Sequence, residues 1–417
     1  MNAADFVQPD RLWADLMTLA EITDPGRPHT RRSFSDRFLD GRRWLEQRFT
    51  EAGLTCHLDD AGNLIGRRTG SAAGLGTVMS GSHSDTVPDG GRFDGILGVL
   101  CALEAARALR DASLVLRHDL EIVDFLAEEP SDFGLSCIGS RGMAGALSTE
   151  QRALVAPWGE TLAQAIMRMG GRPDQLDTPR RTDLRAFLEV HIEQGIVLEQ
   201  DRLPIGAVTA IAGVTRIEIL FGGRADHAGT TPMDRRQDAA VAAASVITFV
   251  SRRAGELAQS GQGHVTATCG IVEISPNASN VVPRSARIVV DIRVSERAVV
   301  EAFLEELEAA CHTAASDAHV RLERFTRLSD TKPIACDAGL VRMIGQAADR
   351  LGLKHRLMVS GAGHDAAFVA RLCPAAMVFV PCRDGRSHDP EEWCTPQDAA
   401  NGARVLTQAL QDVDRDF

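Results

Sequence analysis

Residues 81–95 read G-S-H-S-D-T-V-P-D-G-G-R-F-D-G and place an imidazole, His83, and two carboxylates, Asp85 and Asp94, just after an apolar run, 77–81. A neutral imidazole with a carboxylate, and a second carboxylate behind the ring as hydrogen-bond acceptor, is how zinc-like ions are held. Asp85, two residues past His83, takes the orienting position. P-D-G-G and F-D-G are also ordinary turn signals, so this stretch alone leaves a solvated turn open. Three other segments offer ligand-type residues. Glu128 and Glu129 follow the apolar run 120–127, His191 sits in L-E-V-H-I-E-Q-G, and His388 sits in R-S-H-D-P-E-E after the run 375–381. A lone histidine is more often a hydrogen-bonded structural residue, and an E-E pair is more often solvated. Five candidates, all at strand ends, weigh the other way.

Three imidazoles and two carboxylates make the ligand set of a two-metal site. One carboxylate bridges, each ion keeps a place for water, and the pair acidifies the shared water and clamps a developing oxyanion. Glu128, beside a ligand but needing no metal of its own, is placed to act as general base.

The elements that must bring these residues together fall into three blocks. Up to about 212, apolar runs at 77–81, 120–127 and 188–192 alternate with helical patterns at 9–23, 32–53 and 95–109, the mark of a mostly parallel sheet covered on both faces. From 213 to 328 the order is β-α-β-β-α-β, a ferredoxin-like unit able to fold as its own domain. From 329 to 417 strand and helix alternation resumes, with T-P-Q-D at 395–398 as a helix start. The expectation is an α/β domain, 1–212 with 329–417, interrupted by the domain 213–328. Open α/β sheets place ligands at the carboxyl ends of their strands, so candidates three hundred residues apart would meet in one crevice.

Composition narrows the partners. The formal charge of −12 supplies no basic stripe for phosphates, which argues against nucleic acid. Nine cysteines stand singly, with no C-x-x-C, which fits reduced thiols in a cytoplasmic chain. The first residues lack a basic stretch followed by an apolar one, so no signal peptide is read, and no window approaches the length of a membrane span. There is no tyrosine, so hydroxyl chemistry would fall to Ser, Thr or water.

Taken together, G-S-H-S-D…F-D-G, the E-E pair, H-I-E-Q-G, D-H-A-G-T-T-P-M, S-N-V-V-P and G-A-G-H-D resemble the hydantoinase/carbamoylase amidases of the M20 metallopeptidase superfamily, from about Asp59 through Asp398. The segments H-I-E-Q-G and S-H-x-P-E separate this branch from ordinary M20 peptidases and aminoacylases. The resemblance implies an aminopeptidase-type catalytic domain, with 213–328 as a lid that also joins two subunits in a homodimer. It implies that His83, Asp94 and His191 hold one divalent metal ion and Asp94, Glu129 and His388 a second, with Glu128 as base. Zinc leads among the metals, and manganese, cobalt or nickel also suit these ligands. Gln194 would contact the ureido or amide group, and His227 would stabilise the tetrahedral intermediate in a neighbouring subunit's site. Asn280 and Arg293 would bind the substrate carboxylate, with Gly363 and His364 in the same pocket. The implied activity is hydrolysis of an N-carbamoyl amino acid or related ureido acid. An N-acyl-amino-acid deacylase or dipeptidase is the alternative, and a non-catalytic relative the remote one. One departure stands out: after Glu129 the family commonly has G-S-R-F, and this chain has Pro130-Ser131-Asp132-Phe133. Reversing a charge there either changes the welcome substrate or marks a loop re-paired locally.

Overall fold

The computed structural model describes residues 2–177, 181–261 and 263–416. The chain divides into two compact units, one made of Met1–Thr209, Cys336–Met358 and His364–Phe417, the other of Ala210–Ala335 and Val359–Gly363.

In the first unit, four parallel strands form the centre of a larger mixed sheet, in the lateral order Asp119–Phe125, Thr77–His83, Leu184–Ile192, Ala375–Val380. Every residue of Thr77–His83 and of Ala375–Val380 is buried. Ala375–Val380 reads as a continuous apolar run, as a strand covered on both faces does, whereas Thr77–His83 also buries Thr77, Ser80, Ser82 and His83. The margins are antiparallel: Leu64–Arg68 and Thr55–Leu58 on one side, Ile205–Ile211 on the other. In register, His83 lies opposite Phe125 and His191 opposite Phe379, so the carboxyl ends of the central strands finish side by side.

The helix Ile96–Asp111 is buried almost all round, because the sheet covers one side and the helix Pro396–Asp416 the other. Its fit is tight at Gly98, where a Cβ would come within 2.3 Å of the Val190 carbonyl oxygen. Each buried Leu, Ile or Val here contributes about 1.5–3 kcal/mol. The loop carrying Asp94 thus runs between a strand and a helix that are both fixed in the core.

The second unit is a four-stranded antiparallel sheet in the order Arg321–Asp330, Gly213–Gly222, Ser285–Val294, Val265–Ser275. Ile217, Ile219 and Phe221 lie on one face of their strand and, with Ile288, Val290 and Ile292, pack against the helices Ala239–Gln259 and Arg297–Asp317. On the opposite face, side chains pair by charge: Glu218 with Arg287 and Arg324, Asp291 with Arg216 and Arg293. Among the described residues, no helix is long and apolar enough to cross a membrane. All nine cysteines are free.

Candidate active site

Asp94 is the hub. Its Oδ1 lies 3.5 Å from His83 Nε2 and 3.4 Å from His191 Nε2, and its Oδ2 lies 3.4 Å from His388 Nε2. His388 Nε2 is 3.1 Å from Glu129 Oε1. Donor atoms of His83, Asp94 and His191 therefore cluster on one side of the Asp94 carboxylate, and those of Asp94, Glu129 and His388 on the other. Four donors placed tetrahedrally about 2.1 Å from a zinc-like ion stand about 3.4 Å from one another, and the separations here have that size. The chemistry of the set, imidazole nitrogens with carboxylate oxygens, fits a divalent ion.

The rings are oriented from behind. His83 Nδ1 faces the Asp85 carbonyl oxygen at 3.0 Å and His191 Nδ1 faces the Ile192 carbonyl oxygen at 2.9 Å. A carbonyl only accepts, so Nδ1 carries the hydrogen and Nε2 is the ring nitrogen turned toward the cluster. The Gly95 N–H donates to His191 Nε2 at 3.1 Å, which marks the same nitrogen as unprotonated. Gly95 itself, at φ 68°, packs so closely that a Cβ would come within 2.4 Å of the His83 ring.

Asp85 does more than stand behind His83. Its carboxylate is 3.6 Å from Nδ1, farther than its own carbonyl. The two carboxylate oxygens instead accept from the backbone N–H groups of Glu128 and Glu129, each at 3.2 Å. It thereby ties the first loop to the second, where Ala127 at φ 54° turns the chain out of the strand. Burial, with the neighbouring Glu129, Asp365 and Asp85 carboxylates, pushes the Glu128 carboxyl well above its ordinary range although His83 pulls the other way. Burial likewise pushes Glu129 up. Hydrogen bonding to Asp94 and Glu129 pushes the His388 imidazole up to about 11. A cluster so rich in buried carboxylates calls for positive charge at its centre.

Two residues that sequence reasoning passed over lock the Asp94 loop. Glu392, fully buried, accepts from the N–H groups of Phe93 at 2.7 Å and Asp94 at 3.1 Å. The Ser387 hydroxyl lies 2.5 Å from Asp94 Oδ2 and 3.0 Å from Glu392 Oε2. The clasp is close-fitting at Gly91, where a Cβ would stand 2.0 Å from the Glu392 carboxyl carbon. Gln194, in left-handed backbone at φ 55°, donates from Nε2 to Asp94 Oδ2 at 2.6 Å. Its Oε1 is buried with no hydrogen-bond partner among the described residues. His364 is buried edge-on to the His191 ring, centroids 4.6 Å apart, and burial pushes its imidazole well below the ordinary range. Gly363 is exposed, the last residue of the 359–363 segment.

The departure after Glu129 is re-paired: Asp132 Oδ1 lies 2.9 Å from Arg32 Nη2, and the Phe133 ring packs edge-on against Phe34. In the second unit, His227 bridges to Val281, and the Ala228 N–H donates to the Asn280 carbonyl oxygen at 3.0 Å, so His227 and Asn280 share one loop pair. Arg293 stands at the far end of Ser285–Val294, roughly 27 Å along the strand from Ser285. Its Nε donates to Asp291 and its Nη1 to the Gly361 carbonyl oxygen, each at 3.0 Å. Asn280, in the loop that precedes Ser285, and Arg293 therefore stand toward opposite ends of this strand.

Comparison with known proteins sets this geometry in a family. Among curated relatives, an N-carbamoyl-L-amino-acid amidohydrolase of Paenarthrobacter aurescens is 37% identical, with 98% of each chain covered. A ureidoglycolate hydrolase of Oryza sativa subsp. japonica is 36% identical over 97% of this chain and 84% of its own length. Among solved structures, a hydantoinase/carbamoylase family amidase from Burkholderia multivorans superposes with a TM-score of 0.91 at 37% identity, covering 98% of both chains. The profile of peptidase family M20/M25/M40 matches residues 79–412, from inside the strand that ends in His83 to the last helix. With its ligand-type residues spread across that whole span, the chain belongs to this metal-dependent family.

Proposed function

We propose that this chain is a metal-dependent amidohydrolase that cleaves the ureido carbon–nitrogen bond of an N-carbamoyl amino acid or related ureido acid, releasing amino acid, ammonia and carbon dioxide. One arrangement carries the reading. Two donor triads share Asp94, and Gln194, bound to that same carboxylate through its nitrogen, keeps its oxygen buried and unspent. A ureido group has N–H donors on both sides of its carbonyl and so suits a free acceptor beside such a cluster. Relatives named for N-carbamoyl-L-amino acids and ureidoglycolate support the substrate class. Asp132, whose reversed charge could have marked a different substrate, is matched by Arg32.

His83, Asp94 and His191 would hold one divalent ion and Asp94, Glu129 and His388 the other, zinc being favoured by the donor set and manganese, cobalt and nickel compatible with it. When bound, such ions supply Lewis acidity, acidifying a water and polarising the substrate carbonyl. Glu128 takes the proton of the attacking water and returns it to the leaving nitrogen. Gln194 Oε1 accepts from the ureido N–H and fixes the substrate's orientation. Arg293, held by Asp291 and Gly361, is assigned the substrate carboxylate, for which a guanidinium fork is suited. His227 and Asn280 are assigned to the substrate of a partner subunit, with the second unit acting as lid and dimer contact. The separation of these two from Arg293 along one strand supports the division, and exposed Ile271 and Val272 on the edge strand Val265–Ser275 support a contact between copies. Nine free cysteines support a reducing, cytoplasmic setting.

The test is a panel of N-carbamoyl-α-amino acids, N-carbamoyl-β-alanine, allantoate, N-acyl amino acids and dipeptides with metal-reconstituted protein, ammonia and free amine being measured separately. Ammonia from the ureido compounds is expected. New amine without ammonia would replace the reading with a deacylase or peptidase.

A further inference from the structure

We propose that Cys137 positions the catalytic base: its thiol holds one oxygen of Glu128, so that the other is presented to the ligand cluster. The inference rests on Glu128 being the base. Cys137 Sγ donates to Glu128 Oε1 at 3.3 Å, whereas Oε2 lies 3.7 Å from His83 Nε2. The two oxygens thus have different surroundings, one facing protein and one facing the donors of the first triad. Among the described residues, the thiol is the one side chain hydrogen-bonded to this carboxylate.

The contact is built by the backbone. Cys137 N–H donates to Glu128 O at 2.8 Å, Ile138 N–H to Ala127 O at 3.0 Å, and Gly139 N–H to Leu126 O at 2.7 Å. These three bonds zip the segment that carries the base to the start of the helix Ile138–Met143. Closure needs no side chain at Gly139, where a Cβ would stand 2.0 Å from Asn63 Oδ1. Cys137 itself is in left-handed backbone, φ 54° and ψ 40°. Glycine adopts that conformation without steric cost, yet here a buried side chain is kept, and it points at the base. A thiol is a weak donor. It fixes the orientation of Glu128 while drawing little charge from a carboxylate that must accept a proton.

The test uses the full-length, metal-reconstituted protein and its Cys137→Ala, Cys137→Ser and Glu128→Gln variants. Misplacing a reacting group costs roughly 10- to 100-fold. Cys137→Ala is therefore expected to lower kcat about tenfold, with KM and bound metal unchanged, and Cys137→Ser to recover most of the loss because a donor is restored. In Glu128→Gln, adding Cys137→Ala should change nothing further. The infrared S–H stretch isolated by subtracting the Cys137→Ala spectrum should move when Glu128 becomes Gln, a readout independent of turnover. Wild-type turnover by Glu128→Gln would remove the base and this inference together. An inactive Glu128→Gln beside a Cys137→Ala of wild-type kcat would overturn this inference alone. So would loss of metal from Cys137→Ala, an S–H stretch indifferent to Glu128, or no recovery in Cys137→Ser.

Discussion

Arg32 and Asp132 show how a single residue can change sign without changing chemistry. The anion at 132 sits four residues past Glu128 on the same loop, where an unmatched charge would act on any substrate nearby. It meets Arg32 at 2.9 Å instead, with both side chains about one-third exposed. Such a pair is worth less than about 1 kcal/mol once water has screened it. Arg32→Ala and Asp132→Ala should each shift the melting temperature only slightly. Neither should change the ranking of kcat/KM across the ureido panel by more than about threefold, which is about 0.65 kcal/mol. A reordered ranking in Asp132→Ala alone would make the loop a specificity element. The departure was legible in the sequence as a reversed charge, but its partner was not, because Arg32 lies a hundred residues upstream on a different loop.

At the scale of elements, the site depends on loops fixed at both ends. The Asp94 loop leaves a strand that is wholly buried and enters the helix Ile96–Asp111, while Glu392 reaches in from the last loop to hold its backbone. Gly91→Ala should break this clasp, since its Cβ would stand 2.0 Å from the Glu392 carboxyl. The expected cost is about 2 kcal/mol or more, together with weakened metal retention, read by thermal unfolding and by metal content after dialysis. Unchanged values for both would mean that the loop does not need Glu392. The central strands were legible because burial on both faces leaves apolar residues concentrated in short stretches, although buried acids such as Glu121, Asp124 and Glu189 interrupt them. The marginal strands were not: Thr55–Leu58 is largely exposed and His355–Ser360 only half-buried, so neither carries a clean period. Glu392 was hidden in a different way. It lies in the quoted motif S-H-D-P-E-E, but its partners are backbone N–H groups three hundred residues away, and no side-chain pattern announces those.

Across the whole molecule, folding gathers acids faster than it gathers counter-charge. Asp85, Asp94, Glu128, Glu129 and Glu189 are all buried in the first unit, around three imidazoles. Without a metal ion, protons supply the missing charge. His388, bonded to Asp94 and Glu129, is held up to about 11. The sign follows directly. A histidine whose folded value is raised stabilises the metal-free protein fully below its unfolded value, near 6.5, and loses that contribution as pH rises toward 11. A metal ion needs the same imidazole neutral and must displace its proton. Affinity for zinc or manganese should therefore rise with pH across the range 6.5 to 8.5, by up to about tenfold per unit for each proton displaced. Calorimetric titration in buffers of different ionisation enthalpy should report protons released on binding. The gain in melting temperature on adding metal should grow with pH over the same interval. His388→Ala should flatten both dependences and weaken binding. If instead affinity were flat with pH and no protons appeared, the cluster would hold its ligands already neutral, and the charge it calls for would have to come from elsewhere in the fold. The fully buried Arg31 is then the first residue to substitute, because its Nε donates to the Ser84 carbonyl oxygen in the very loop that carries His83.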